Sequence, residues 1–390
     1  MFRPSDSGFR QKLTGLTLKG ALYGSWILGV FPFTYDSWTR KLHRSKWLIA
    51  YGLILNTALI LLVVTNDTES ETPLKMQVFH RNALAEQVNG IHDIQSLSMV
   101  SIMLLRGFWK SGDIEKLLNE LQDLQHRHFR HFSFVEEGSH FDSFVMYKGL
   151  SIVLEILSML ILELGMSPFF SAQLFIGVTS LCLMILSVLL GASHFHLALA
   201  FVYRNVWTVN RELLRLVNKL ANGETVKSER VDYLLNLYHR LFKLSNRLIS
   251  VYDYQMVMVM ASFLIANVLG IYFFIIYSIS LKNNLDIKIV VFIQALVINM
   301  VDFWLNVEIC DLTERTGRQT STILKLFNDI ENIEEKLERS ISDFALYCSH
   351  RRLRFQHCGL FYVNYEMGFR MAITSFLYLL FLIQFDFWNL

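Results

Sequence analysis

The chain has 390 residues, of which 53% are apolar, 14% aromatic and only 18% charged. With four prolines and a positive mean hydropathy, that composition excludes an ordinary soluble domain and points to an all-α, polytopic membrane protein. A net charge of +2 selects no partner, nucleic acid included, because the basic residues are sorted along the chain rather than gathered in one patch.

Arg3, Arg10, Lys12 and Lys19 precede the apolar run from Ala21 to Phe33. The run is short for a span, and Phe33-Thr34-Tyr35-Asp36 offers no small-x-small cleavage site. We read it as a retained helix packing at the cytosolic membrane surface, within a cytosolic segment 1–46. Apolar spans are then expected at about 47–64, 83–105, 149–166, 168–190, 255–280, 287–306 and 360–385. The second is apolar only from Leu97 to Leu105; Glu86, Gln87, Asn89, His92 and Asp93 require its first half to face protein or water. One seven-helix domain over 1–390 accounts for the chain, since no repeat or Gly/Ser linker divides it.

Orientation follows from Lys and Arg. With the N-terminus inside, the cytosolic pieces 1–46, 106–147, 191–254 and 307–359 hold about 30 of the 36 basic residues. The exterior keeps Lys75, Arg81, Lys282 and Lys288, so the N-terminus is expected in the cytosol and the C-terminus outside. Asn66-Asp67-Thr68 is a glycosylation sequon on the exterior side, with Asn66 close to the first span.

The interior segments carry helical periodicity. Leu213, Leu216, Val217 and Leu220, then Leu234, Leu237, Leu241 and Leu244, read as membrane helices prolonged into the cytosol. Ile323, Leu326, Phe327, Ile330, Ile333, Leu337, Ile341 and Phe344 read as a further helical stretch, and together they predict a cytosolic anchor bundle.

No nucleophile elbow, phosphate-cradling loop or paired-acid motif stands out, so neither an enzyme nor a cofactor is implied. Cys348, His350, His357 and Cys358 are closely spaced, but Arg351, Arg352 and Arg354 between them oppose a bound cation, and no metal is expected. His194 and His196 diverge by about 200° on a helix and would not chelate together. Cys182 and Cys310 complete the cysteines, and no exterior disulfide framework follows. Glu155, Glu163, Asp302 and Glu308 are acids in or near spans; helix–helix hydrogen bonding and ligand or ion contact both remain open for them. The outer halves of the spans hold Gln173, Tyr272, Phe274, Tyr277, Phe292 and Gln294, with Glu163 near the mouth and Asn267 deeper. Aromatic walls with a few polar groups suit a small apolar ligand; taken one at a time, the same residues are better accounted for by helix packing.

The C-terminal helix ends in LYLLFLIQF at 377–385. Gln384 and Phe385 beside Asp386 and Trp388 suit a headgroup interface. They also suit a polar ring next to an apolar constriction where several copies meet on an axis. The stretch resembles the C-terminal signature of insect gustatory receptors: Tyr378, Gln384 and Phe385 match, while Leu377 stands where that family carries threonine. Gly359, Leu360, Phe361, Val363 and Asn364 resemble the preceding segment, and ALYGSWILGVFPF, GASHFHLA, YDYQMVMVM and ERTGRQTSTILKLFNDIEN extend the resemblance, within a bitter-taste subgroup, along the whole length.

The resemblance implies a tetrameric, ligand-gated, nonselective cation channel, assembled from one or several gustatory receptors and set in the plasma membrane of gustatory neuron dendrites. It implies a pore lined by the last helix, with Gln384 and Phe385 at the gate and Tyr378 and Phe381 beside them. A small bitter tastant would enter from outside. A seven-helix G-protein-coupled receptor is the alternative; it needs the opposite orientation, against the charge distribution.

Overall fold

The computed structural model describes residues 5–67, 83–129, 140–166, 172–280, 287–331 and 333–386. Its elements in chain order are α1 (Ser5–Ile27), β1 (Phe33–Asp36), β2 (Lys41–Arg44), α2 (Lys46–Asp67), α3 (Ala83–Trp109) and α4 (Ser111–Leu124). There follow α5 (Phe141–Met166), α6 (Ala172–Ala221), α7 (Ser228–Ser280), α8 (Ile287–Lys325), α9 (Glu335–His350), β3 (Gln356–His357), β4 (Phe361–Tyr362) and α10 (Tyr365–Asp386).

Among the described residues six helices are long and apolar enough to cross a membrane: α2, α5, α6, α7, α8 and α10. The 27-residue α3 is not one of them, and its polar first half is the reason. The spans extend past their apolar runs where an amphipathic pattern takes over. α6 and α7 run unbroken for 50 and 53 residues, so one helix serves both the membrane and the anchor bundle.

The core sits in that bundle. Phe195, Leu199, Val206, Val209 and Leu213 of α6 are fully buried, with Val231, Leu234 and Leu241 of α7, Val307 and Cys310 of α8, and Phe344 of α9. Away from it, the outward faces of the spans are apolar and bare, as a bilayer requires: Ile54 is 71% exposed and Val153 63%.

Three local expectations are corrected. The stretch from Ile323 to Phe344 is not one helix: a 3-10 turn at Leu326–Asp329 separates α8 from α9. Asn328 and Asp329 sit at that break, where short polar side chains compete with helical hydrogen bonds. Gly359 to Val363 does not extend the last helix upstream. It supplies the second strand of the β3–β4 hairpin, whose turn holds Cys358 and Gly359 at φ 49° and 69°. Third, segment 1–46 is more than a helix, since β1 and β2 pair as an antiparallel hairpin with Phe33 opposite Arg44. Asn119 of α4 holds that hairpin by bonding both Leu42 N–H and Leu42 C=O, at 2.8 and 2.9 Å.

Candidate pore helix and outer binding region

α10 is fastened at its base and loosely held above. Asn364 caps it, its Oδ1 accepting from Met367 N–H at 2.9 Å. The Tyr365 hydroxyl donates to Glu308 of α8, and Arg315 lies 5.3 Å from the Tyr365 ring. Gly368 then allows a close crossing: a methyl there would stand 2.5 Å from a Trp304 ring carbon and 3.2 Å from Val307. Below, Val363 N–H donates to Phe355 C=O at 2.8 Å, and His357 is buried 3.3 Å from Asp253 of α7. Burial pushes the His357 imidazole below its ordinary 6.5, while Asp253 acts in the opposite sense. Burial likewise raises the Cys348 thiol to about 12, which keeps it protonated.

Above Gly368 the helix meets its own chain mainly through one patch. Leu379 is buried against Tyr272 and Ile276 of α7, with Leu382 and Ile383 packed alongside. Its other faces are open: Phe369, Phe376, Leu377, Tyr378, Phe381 and Phe385 are each more than half exposed. Phe381 and Phe385 stack at 6.1 Å, and Gln384 is exposed beside them. An apolar face of that extent is stable only against lipid or another copy.

The expected ligand residues divide into three groups. Phe274 and Phe292 stack across α7 and α8 at 5.7 Å, Asn299 Nδ2 donates to Asn267 Oδ1 at 3.1 Å, and exposed Gln294 donates to Ser158 Oγ of α5 at 3.4 Å. These lie on adjoining faces of α5, α7 and α8. Tyr272 belongs with α10 instead, fully buried against Leu379. Glu163 is half-buried on α5 and Gln173 exposed on α6, near the ends of their helices. The side chains of Tyr277 and Asn66 lie outside the described residues. A separate cavity of about 30 Å³, large enough to admit water, lies among Phe31, Phe33, Met103, Phe108, His194 and Gln255; none of the expected ligand residues lines it.

The sequence left Asp302 open to helix–helix hydrogen bonding and named no partner for it. Lys148 of α5 directs its ammonium at both carboxylate oxygens of Asp302 on α8, and Ser151 donates to Asp302 Oδ1 at 2.6 Å. Lys148, Ser151 and Glu155 share one face of α5, and that spacing was the available signal. Of the histidines, His194 pairs with Ser25 at 2.9 Å, while His196 is fully buried with its ring 6.3 Å from Phe144.

The sequence profile of the 7tm chemosensory receptor family matches residues 18–389. The chain is 82% identical over 390 residues to the gustatory receptor for bitter taste 22e of Drosophila melanogaster, covering 100% of both chains. It is 44% identical over 392 residues to the putative gustatory receptor 22d of the same species, again covering 100% of both. Its fold is similar to that of the insect olfactory receptor OR5 from Machilis hrabei, with TM-score 0.67 at 13% identity over 94% of this chain and 97% of that one. The same receptor in complex with eugenol gives TM-score 0.68 at 13% identity over 96% and 99%. A match across almost the full length, with full-length relatives far above 30% identity, leaves one conclusion: the chain belongs to the 7tm chemosensory receptor family, among its insect gustatory receptors.

Proposed function

We propose that this receptor is a ligand-gated, nonselective cation channel of the plasma membrane, opened by small bitter compounds. Four copies, identical or mixed with other gustatory receptors, surround one pore lined by α10. The observation that carries this reading is the open face of α10, where Phe381 and Phe385 stack and stand 62% and 66% exposed with Gln384 alongside. A helix clasped at its base and bare above needs neighbours, and copies around an axis would make Phe385 an apolar constriction beside a ring of Gln384. The relative that is 82% identical carries bitter taste in its name, which supports the ligand class.

α3 completes seven spans, its exposed Glu86, Gln87 and Asp93 facing a watery cavity or a neighbouring subunit. The N-terminus lies in the cytosol and the C-terminus outside, as the Lys and Arg distribution favours. Tastant binds among Phe274, Phe292, Gln294 and Asn267, with Tyr272 and Tyr277 on the same helix as Phe274 and with Glu163 and Gln173 nearer the mouth, and the OR5 structure of like fold was solved with eugenol. A ligand that binds splayed outer helices more tightly than packed ones shifts the population toward the open state. Tyr272 links that region to Leu379 of α10. The receptor serves the sensory dendrite.

Antibody access to tags at both termini, in intact and permeabilised cells, tests the orientation. A C-terminal tag stained in intact cells with the N-terminal tag hidden supports the channel; the reverse removes it in favour of G-protein coupling. Whole-cell currents evoked by bitter compounds without added G protein then test the gate.

A further inference from the structure

α1 presents an apolar stripe that no other described part of the chain covers. Phe9 is 68% exposed, Leu16 66%, Tyr23 56% and Ile27 68%. Their spacing returns each to one face of a helix with 3.6 residues per turn. Lys12 and Lys19, both exposed, follow one edge of the stripe.

Contacts on the inner side fix how this helix lies. Thr14 bonds Asp142 C=O at the start of α5, and Thr17 packs against Gly149. Further along, Gly24 meets Leu190 of α6, Ser25 bonds His194, and Tyr51 of α2 donates to Ile27 C=O. So α1 runs from α5 across α6 to α2, near the N-terminal ends of α2 and α5. The two outer helices it touches also expose apolar side chains, Tyr147 and Leu150 of α5 and Trp47 and Ile54 of α2. On the wheel, Gly24 and Thr17 mark one edge of the stripe, packed against Leu190 and Gly149 within the apolar runs of α6 and α5; Lys12 and Lys19 project from the opposite edge. An apolar face at acyl depth with cations toward the headgroups is the pattern of an interfacial helix that attracts anionic lipid.

We infer that α1 is a binding site for anionic phospholipid, its stripe against the acyl chains and Lys12 and Lys19 on the headgroup phosphate and carboxylate. The orientation proposed above decides only which leaflet supplies the lipid. Through Thr17, Ser25 and Ile27, occupancy of the site holds α5, α6 and α2 together at one level of the membrane.

The test uses the purified full chain in nanodiscs of phosphatidylcholine with or without phosphatidylserine, followed by thermal unfolding. Phosphatidylserine should raise the midpoint of the wild type and of Lys12→Arg/Lys19→Arg, and the gain should be lost in Lys12→Gln/Lys19→Gln. An equal gain in all three, or none in the wild type, overturns the site. Should the glutamine pair fail to fold, lipid mass spectrometry of the wild type decides. Phosphatidylserine enriched about twofold or more over its share in the membrane, and falling at high salt, supports the site; no enrichment removes it. Disulfide cross-linking of Leu16→Cys between copies, with no phosphatidylserine dependence, would assign the stripe to a second copy and equally removes it.

Discussion

Lys148 Nζ lies 2.7 Å from each carboxylate oxygen of Asp302, with both side chains 2% exposed, so an ion pair ties α5 to α8 inside the protein. Ser151 adds a third contact to the carboxylate, and Asn306 donates to Asp302 C=O at 2.9 Å. A buried pair satisfied this fully is stable as a pair and costly as a single charge.

Removing one partner should therefore cost more than removing both. Lys148→Met or Asp302→Asn is expected to destabilise the receptor by about 3–5 kcal/mol, and Lys148→Met/Asp302→Leu to recover most of that loss. Surface expression and thermal unfolding of the purified protein measure it. A double variant as unstable as the sum of the single ones would show that the two charges do not act together.

The crossing of α8 and α10 makes a second prediction. Gly368→Ala places a methyl 2.5 Å from Trp304, overpacking that is expected to cost about 1–3 kcal/mol and to disturb gating. Trp304→Leu in the same chain should relieve it. Currents and surface expression of Gly368→Ala equal to wild type would mean that the base of α10 has room to shift.

At the far end of α10, Gln384→Ala should change conductance or ion preference without loss of surface expression, because Gln384 is exposed and its removal leaves no buried partner. Phe385→Ala should raise ligand-independent current by widening the proposed constriction. Single-channel recording reads both; unchanged conductance and selectivity in Gln384→Ala would remove it from the pore.

His128 gives the receptor an acid-sensitive contact in its anchor bundle. Its Nδ1 lies 2.9 Å from the Tyr233 hydroxyl, and its Nε2 accepts from Arg240 at 3.1 Å; Asp123 and Arg127 are the other charges near it. Burial first, then Arg240, holds its pKa below the ordinary 6.5. The folded protein thus binds a proton less readily than the unfolded chain. Stability is unaffected above about pH 6.5 and falls as the pH drops from there toward the folded value. His128→Gln, which cannot protonate, should flatten the unfolding midpoint between about pH 7.5 and 5.5. An unaltered pH profile would assign the sensitivity to other groups, His357 among them.

The sequence by itself determined the membrane class, six of the seven spans expected from it, and the family. Each is written in contiguous residues: an apolar run long enough for a bilayer, or Tyr378, Gln384 and Phe385 at fixed spacing. The anchor bundle was legible for the same reason, through the leucines of α6 and α7, whereas the break between Lys325 and Glu335 was not, because its apolar spacing mimics a helix. Only the tertiary structure decided which polar residues meet. Lys148 and Asp302 are 154 residues apart, Asn119 reaches Leu42 across 77, and Tyr365 reaches Glu308 across 57. Periodicity carries information over a few turns of one helix. The pairing of a buried charge depends on which helix packs against it, and that was settled by the interlocking of α5, α8 and α10.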